Sequence, residues 1–256
     1  MCELFGFSAS RPLDATTLPL AAFRARGGAI ADNPDGWGVA WRENGTFQLK
    51  KSPEPGSRSD VFAELIDHLR CDLLLAHVRK ARFPPVNTQR NTHPFLHACC
   101  GRMWAFAHNG LVPAAVALEV ANVERICAPD GETDSEFAFC HLLSHVFRHP
   151  DVSSRTEDWL AALGDVSAMI AHHGQFNFLL SDGEYLIAYG HDRLHEREIS
   201  DGVHPIVLVS TEPLDETPGW GAFTPGELRL YRDGRRRAQI LTHPPAPGPS
   251  RPAPPL

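Results

Sequence analysis

The sequence predicts an α+β fold in which two mainly antiparallel sheets pack together and helices cover them on the outside. Three observations support this prediction. Strand-like segments come first, two consecutive helices follow, and strand-like segments return afterwards. The pairs Asn44-Gly45 and Asp182-Gly183 are strong hairpin signals. The regular alternation of strands and helices that a parallel, doubly wound sheet requires is not seen in this order.

In the first half of the chain, short apolar runs are separated by glycine-rich turns. Cys2–Ser8 is predicted to be a strand, and Leu18–Arg26 a helix that ends at Gly27-Gly28. Ser59–Leu69 is predicted to be an amphipathic helix with Val61 on its apolar face. The remaining segments are short, apolar or hairpin-flanked, and they are predicted strands: Gly38–Trp41, Thr46–Lys50, Asp72–Val78 and Met103–His108.

In the second half, Thr133-Asp134-Ser135-Glu136 has capping-box spacing and predicts a helix that runs to about His149. A second helix is predicted at Glu157–His172. After Gly174 the pattern predicts strands again, at Phe176–Ser181, Tyr185–Tyr189, Ile206–Thr211, Glu227–Arg232 and Ala238–Leu241.

The end of the chain differs in composition from the rest. Seven of the thirteen residues from Pro244 onwards are proline. Proline has no backbone donor for a sheet, so residues 244–256 are expected to be a mobile, polyproline-like tail. Residues 1–243 are expected to form a single domain.

Composition excludes several classes of function. The formal net charge is −7, whereas proteins that bind a phosphate backbone usually carry a basic face. The one dense basic run, Arg235–Arg237, is expected in a turn after Asp233-Gly234. No apolar run is long enough to span a bilayer, and the N-terminus lacks the features of a signal peptide. We therefore expect no nucleic-acid partner and no membrane association.

The six cysteines show no zinc-type spacing, which favours a reduced, cytoplasmic protein with mostly buried thiols. The adjacent Cys99 and Cys100 are expected to be core thiols at a strand boundary. His141, His145 and His149 recur every four residues, a spacing that can hold a metal on one helix face. No acidic or cysteine ligand accompanies them, so they are interpreted as solvated surface. No metal and no cofactor are expected.

Cys2 is the strongest candidate for a catalytic residue. Aminopeptidases remove an initiator methionine when the next side chain is small, so Cys2 would become the first residue. Its α-amine would have a pKa of about 8, and a fraction of it would be neutral at neutral pH. That amine could act, through a water molecule, as the base for the thiol of the same residue. A chain that retained Met1 would have no such amine and would be inactive by this route.

Other motifs supply the remaining requirements for hydrolysing the amide of an amino acid. Asn109-Gly110 offers a side-chain amide and an unobstructed backbone N–H for an oxyanion. Arg79, at the exit of a strand, could bind a carboxylate through two parallel hydrogen bonds. Asp134 could accept from an ammonium group, and its place in the first turn of a helix favours a negative charge.

The combined motifs resemble those of class II, or N-terminal-nucleophile, glutamine amidotransferases, and most closely the stand-alone YafJ-like branch. The resemblance runs from Cys2 to about Arg232 and rests on MCELFGFSA, DGWG, NTHPF, AHNG and GETDSE. It implies a four-layer αββα sandwich, the fold of the N-terminal-nucleophile hydrolases. It also implies that residues 1–243 are a glutamine amidotransferase domain in which Cys2 attacks the side-chain amide of glutamine.

By the same resemblance, Arg79 would hold the substrate carboxylate, Asp134 its α-ammonium, and Asn109 with Gly110 the oxyanion. The motifs also contain residues that we interpret as supports or as parts of the substrate pocket. His93 and His108 are interpreted as supporting residues rather than as the base. Gly36 and Trp37 would shape the pocket wall or support Cys2, although Trp37 fits an apolar core equally well.

Three functions remain open at this point. Relatives fused to a synthase carry a second domain that consumes the ammonia, and no residues are left for one here, so the ammonia would pass to a separate synthase or be released. The stretch Lys80–Arg90 also departs from the large synthases, which leaves room for another γ-glutamyl amide as substrate, as in ergothioneine biosynthesis. The third possibility is a catalytically silent regulatory or binding subunit on the same fold.

Overall fold

The computed structural model describes residues 1–81, 87–146, 156–200 and 203–244. Within these ranges the chain forms two antiparallel sheets and five α-helices, which confirms the predicted class. The strands are β1 (Glu3–Asp14), β2 (Trp37–Glu43), β3 (Thr46–Ser52), β4 (Arg70–Val78), β5 (Phe95–Cys99), β6 (Arg102–Leu111), β7 (Gln175–Ser181), β8 (Leu186–Gly190), β9 (His195–Ser200), β10 (Pro205–Ser210), β11 (Gly221–Ala222), β12 (Glu227–Arg232) and β13 (Arg235–Leu241). The helices are α1 (Leu20–Ala25), α2 (Asp60–His68), α3 (Ala114–Ala121), α4 (Asp134–Val146) and α5 (Thr156–Ala171).

The first sheet has the strand order β11-β9-β10-β1-β4-β2-β3. Its central strand, β1, is antiparallel to β4, with Glu3 opposite Val78. The start of β1 is therefore next to the end of β4. The backbone N–H of Leu4 also donates to the hydroxyl of Thr211, which follows β10 (2.8 Å). The N-terminal end of β1 is thus fixed from both sides.

The second sheet has the order β13-β12-β8-β7-β6-β5. In it, β6 and β7 are antiparallel, and Asn109 lies opposite Asn177. The hairpin signal Asp182-Gly183 joins β7 to β8, as predicted, and Asn44-Gly45 joins β2 to β3 in the first sheet. Both hairpins are confirmed.

Three apolar clusters separate four layers. One packs the first sheet against α1 and α2, and it includes Phe23 and Phe62. A second contains side chains of both sheets, such as Leu75 and Leu179, and forms the layer between them. The third packs the second sheet against α4 and α5, and it includes Phe139. The order helix, sheet, sheet, helix is the predicted αββα sandwich.

Several local predictions were wrong or incomplete. Val61 is 49% exposed, so the apolar face of α2 excludes it. The arginine run is in β13 rather than in a turn, because Asp233 and Gly234 alone adopt positive φ and make the reversal. The sequence analysis did not predict the elements α3, β5, β9 and β11. Residues 82–86 of the stretch Lys80–Arg90, His149 and residues 245–256 of the predicted tail lie outside the described residues.

The cysteine and histidine predictions also need correction. Cys127 and Cys140 form a disulfide, so the expectation of six reduced thiols was wrong. Cys99 is buried at the end of β5, as predicted, but Cys100 is exposed. His141 is buried and contacts Glu119 (3.0 Å), because α3 covers this part of α4, so it is not solvated surface. Within the described residues, no helix is both long and apolar enough to cross a bilayer.

Two buried histidines lie in contact near the end of β4. The rings of His77, on β4, and His93 lie 4.2 Å apart between centroids, and both are buried. Burial, and after it the positive charge of Arg79, lowers the pKa of His77 to about 3. Burial also holds the pKa of His93 well below its usual range. Both rings are therefore neutral near neutral pH.

We predict that acidification destabilises the fold through this histidine pair. A histidine in the unfolded chain binds its proton at about pH 6.5, whereas His77 in the folded chain does so only at about pH 3. The unfolded state therefore takes up the proton first, and stability that is complete above about pH 6.5 is lost as pH falls. His77→Phe should reduce this loss by up to roughly 1.4 kcal/mol per pH unit.

The measurement is the free energy of unfolding in urea at several values between about pH 7 and pH 5. His172→Gln, at an exposed position, is the control and should keep the slope of the unmodified protein. Equal slopes for His77→Phe and the unmodified protein would contradict the prediction.

Candidate active site

The candidate residues meet at one end of the sandwich because of the strand directions. Cys2 comes immediately before β1 and, by strand alternation, faces the layer between the sheets, as Leu4 does. Arg79 follows the last residue of β4, which is the strand beside β1. Asn109 faces the same layer from β6, like Ala107. One mouth of the sandwich therefore contains residues from both sheets.

The thiol of Cys2 is half-buried and is held by backbone groups. The N–H of Lys80 donates to its Sγ (3.3 Å), and the thiol lies 3.4 Å from the carbonyl oxygen of Lys80. The side-chain amide of Asn109 donates to the carbonyl oxygen of Cys2. The structure retains Met1, so the nitrogen of Cys2 is an amide in this form.

Arg79 is almost completely buried beside Cys2. Its backbone N–H donates to the carbonyl oxygen of Gly36 (2.8 Å), and its own carbonyl accepts from the N–H of Asp35 (3.0 Å). Burial lowers the pKa of the Arg79 guanidinium, whereas Cys2, Asp35 and Asp134 act in the opposite direction. The guanidinium is thus a poorly solvated cation within electrostatic reach of the thiol and of two carboxylates.

Asp134 is fixed at the junction of the second sheet and its helices. It is the first residue of α4, and its Oδ2 accepts from the backbone N–H of Val112 (2.6 Å). Its Oδ1 accepts from the N–H of Ser135 (2.9 Å). The hydroxyl of Thr133 accepts from the N–H of Glu136 (3.2 Å), the first half of the predicted capping box. The carboxylate of Glu136 is bound instead to the turn that precedes Thr133.

His108 supports the start of α4 through hydrogen bonds. It is buried on β6, with Nδ1 2.9 Å from the hydroxyl of Ser135 and Nε2 3.1 Å from the carbonyl oxygen of Gln175. Burial lowers its pKa, and Asp134 partly opposes that effect. Both ring nitrogens are used by these contacts, so His108 connects β6 and β7 to the start of α4.

Gly110 has no room for a side chain. Its φ is +151°, and a Cβ there would overlap the carbonyl oxygen of Gln175 and lie 2.7 Å from Nε2 of His108. Glycine is required because the neighbouring strand approaches so closely. The residue therefore keeps its backbone unobstructed beside Asn109.

The other residues of the matched motifs have structural positions. Trp37 is buried and stacks on Phe62 (4.4 Å between centroids) in the apolar cluster between the first sheet and helices α1 and α2. Of the two predicted positions for Trp37, the pocket wall and the apolar core, it occupies the core. Gly36 has φ +146° and carries the carbonyl that binds Arg79. His93 packs against His77 and, at 4.5 Å between centroids, against Phe95.

The sequence analysis missed Asn177, a residue that organises the strand of Asn109. Its Oδ1 accepts from three consecutive backbone N–H groups, those of residues 191–193, at 2.9, 3.0 and 3.1 Å. Its Nδ2 donates to the carbonyl oxygen of Asn109 (3.2 Å) and to Asp192 (2.7 Å). An asparagine within an otherwise apolar strand was the available signal, since a buried amide must find partners.

Asp35 and Asn87 were also missed as supports of the region around Arg79. Asp35 accepts from the N–H of Ala81 (2.7 Å) and from the side chain of Asn87 (3.1 Å). Asn87 in turn accepts from the guanidinium of Arg79. These bonds hold Ala81 and Asn87, which flank residues 82–86, close to Arg79. Asp35 belongs to the DGWG motif, but its partners Ala81 and Asn87 are more than 40 residues away in the sequence, so the motif does not indicate them.

Comparison with known proteins gives consistent matches. The family model of class II glutamine amidotransferases matches residues 1–200. YafJ of Escherichia coli (strain K12) is 33% identical over 262 residues, which cover 92% of this chain and 99% of YafJ. The gamma-glutamyl-hercynylcysteine sulfoxide hydrolase of Mycobacterium tuberculosis (strain ATCC 25618 / H37Rv) is 30% identical over 194 residues, or 74% of this chain and 71% of that protein.

Solved structures agree with the sequence relatives. The crystal structure of a predicted glutamine amidotransferase from Pseudomonas aeruginosa PA01 superposes with a TM-score of 0.67 at 27% identity, covering 93% of this chain and all of that one. The glutamine phosphoribosylpyrophosphate amidotransferase of B. subtilis shares the fold, with a TM-score of 0.67 at 18% identity over 94% of this chain and 49% of that chain. From these matches, the chain belongs to the class II glutamine amidotransferases.

Proposed function

We propose that the protein hydrolyses the side-chain amide of glutamine, with Cys2 as the nucleophile. The observation that carries this proposal is the hydrogen bond from the Asn109 side chain to the backbone of Cys2. It brings a thiol and an amide donor together at the mouth of the sandwich, next to the buried guanidinium of Arg79. A nucleophile, an oxyanion donor and a carboxylate-binding cation are the groups that such a reaction needs.

Activation requires the removal of Met1. Met1 lines an open cleft of about 440 Å³ with Asp32, Arg193 and Glu212, which supports access by an aminopeptidase. Cleavage would convert the amide nitrogen of Cys2 into a primary amine with a pKa of about 8. The amine would then take the thiol proton, through a water molecule, and later return it to the leaving group.

The two charged ends of glutamine match two charged side chains. Arg79 would bind the α-carboxylate, because its planar fork forms paired hydrogen bonds and its burial strengthens them. Asp134 would accept from the α-ammonium with the lone pairs that its two backbone contacts leave unused. Substrate held at both ends would present its side-chain amide to Cys2.

The oxyanion would be stabilised by Asn109 and Gly110. The amide nitrogen of Asn109 carries two hydrogens, and the carbonyl of Cys2 takes one of them, which leaves the second for the oxyanion. The backbone N–H of Gly110 would be the other donor. Asn177, bonded to the carbonyl of Asn109, would hold this pair in place before substrate binds.

The reaction would proceed in two steps. Sγ of Cys2 adds to the amide carbon, the carbon–nitrogen bond breaks, and nitrogen leaves as ammonia with the proton that the thiol gave up. The product is a γ-glutamyl thioester. Water then adds to the thioester, the carbon–sulfur bond breaks, and glutamate and the free thiol are released. A separate synthase would be the acceptor of the ammonia if it is not simply released.

The alternative substrate is a larger γ-glutamyl amide. The observation that favours it is the match to a gamma-glutamyl-hercynylcysteine sulfoxide hydrolase over 74% of this chain. The γ-glutamyl half of such a substrate needs the same contacts with Arg79 and Asp134. The two functions would differ only in the group beyond the scissile bond.

We predict that Cys2→Ala abolishes amide hydrolysis and leaves the fold intact. Loss of the nucleophile should lower kcat by roughly four orders of magnitude or more, because the covalent route is removed. The measurement is the release of glutamate from glutamine and, in parallel, from γ-glutamyl amides with bulky leaving groups, on protein shown by mass to lack Met1.

Cys100→Ser, which alters an exposed thiol, is the control and should retain activity. The ratio of kcat/KM values identifies the preferred substrate class. Turnover of any of these amides by Cys2→Ala would contradict the proposed nucleophile, and an inactive processed protein would favour a silent subunit.

We predict that Asn109→Ala lowers kcat by roughly 10²–10³ while KM changes little, since an oxyanion donor acts mainly in the transition state. Steady-state kinetics with glutamine measure both constants. Asn122→Ala, which removes an amide that contacts Glu119 away from this site, is the matched control. A rise in KM with unchanged kcat would instead assign Asn109 to ground-state binding.

We predict that Asp134→Asn raises KM for glutamine at least about tenfold, with a smaller effect on kcat, because the amide keeps an acceptor but loses the charge that attracts the ammonium. Glu132→Gln, which neutralises an exposed carboxylate two residues away, should leave KM unchanged. Identical kinetics for Asp134→Asn and the unmodified enzyme would remove Asp134 from the substrate site.

A further inference from the structure

Two cysteines and a histidine form a compact cluster on the outer side of the second sheet. Cys140 is on α4, Cys127 is in the segment between α3 and α4, and His97 is on β5. One donor atom from each residue lies within 4.8 Å of the others. Cys140 is fully buried, and the side chain of His97 is 11% exposed. In the structure the two sulfurs form a disulfide.

These donors are the ligand types that thiophilic divalent ions prefer. Zinc binds thiolate sulfur at about 2.3 Å and imidazole nitrogen at about 2.0–2.1 Å, so ligand atoms in a tetrahedral shell are about 3.5–3.8 Å apart. The donor atoms here lie within 4.8 Å of one another, and the two sulfurs, now bonded, would separate on reduction. Small side-chain movements after reduction would therefore suffice to surround an ion.

Glu136 supplies the outer contact that metal-binding histidines usually have. Its Oε1 lies 3.1 Å from Nε2 of His97, and its carboxylate also accepts from the N–H groups of Asp130 (3.1 Å) and Gly131 (2.7 Å). A neutral imidazole that donates from Nε2 to this carboxylate keeps its lone pair on Nδ1. Such a carboxylate fixes the tautomer and raises the basicity of the ligand.

We propose that this cluster binds one Zn²⁺ through Cys127, Cys140 and His97 when its disulfide is reduced, with water as the fourth ligand. A small dithiol would supply the two electrons and two protons that convert the sulfur–sulfur bond into two thiols, and the dithiol itself would become a disulfide. Zinc binding then releases the two thiol protons. Two thiolates balance the charge of the ion, which limits the cost of burying it.

The site has an approach for the ion. Glu136, which contacts His97, lines an open cleft of about 700 Å³ together with Asp130 and Arg90, so the cleft ends one side chain away from the cluster. No motif spacing in the sequence indicates this site, because the three ligands come from a strand, a connecting segment and a helix.

Cobalt(II) is the probe for the experiment, because thiolate ligands give it an intense charge-transfer band. The full-length protein is reduced with a dithiol, freed of it by gel filtration without air, and titrated with Co²⁺. We expect one equivalent to bind with the thiolate band, Zn²⁺ to displace it, and the oxidised protein to show no band. Circular dichroism of the reduced protein before titration checks the fold. Loss of the fold on reduction would overturn the proposal.

Variants locate the ion. Cys127→Ser and His97→Ala should each weaken Co²⁺ binding by at least roughly tenfold. Cys71→Ser, at a buried thiol outside the cluster, and Cys2→Ala should both keep the band. Unchanged binding in Cys127→Ser and His97→Ala, or a band lost in Cys2→Ala, would also overturn the proposal. These measurements do not depend on amide hydrolysis, so they test the metal site independently of the proposed reaction.

Discussion

The hydrogen bond from Asn109 to the carbonyl of Cys2 is the interaction on which the candidate site depends. Cys2 precedes the central strand of the first sheet, and Asn109 is on β6 of the second. The contact therefore joins the two sheets at the open end of the layer between them. Once Met1 is removed, Cys2 would have only one covalent connection to the chain, so it would need such a contact to keep a fixed orientation. The bonds between Lys80 and the thiol complete the restraint.

Charge and burial are arranged so that the buried guanidinium of Arg79 lies near three neutral imidazoles at this end of the molecule. Burial keeps His77, His93 and His108 neutral near neutral pH, because their pKa values are all lowered. Arg79 remains charged, since even a lowered guanidinium pKa is far above neutrality. The histidines would thus add no positive charge that competes with Arg79 for a substrate carboxylate. His108 contributes hydrogen bonds to the support beneath it, whereas His77 and His93 contribute packing.

The sequence predicts features that depend on neighbouring residues better than features that depend on contacts between distant parts of the chain. The hairpins at Asn44-Gly45 and Asp182-Gly183 are local, and both were predicted correctly. The helix start at Thr133 is equally local. By contrast, the disulfide between Cys127 and Cys140 depends on how α3 packs against α4, and no spacing in the sequence reports that.

The candidate site shows the same limit. The motifs selected Cys2, Arg79 and Asn109, which lie together at one end of the sandwich, and the roles assigned to them stay predictions. They did not predict Asn177 or Asn87, whose partners are distant in sequence. Val61 was assigned to the apolar face of α2 by periodicity alone, and the packing of that helix leaves it exposed. Periodicity gives the direction of a side chain but not the extent of the surface that covers it.

The choice between glutamine and a larger amide follows from this division of roles. Arg79 and Asp134 would contact only the amino-acid end of the substrate, so they cannot distinguish the two classes. Discrimination would have to come from residues that contact the group beyond the scissile bond. Asn87 accepts from the guanidinium of Arg79 and donates to Asp35, so both residues support the side chain proposed for the half that the two substrates share. A substitution at either position would therefore change the affinity for both classes of substrate alike.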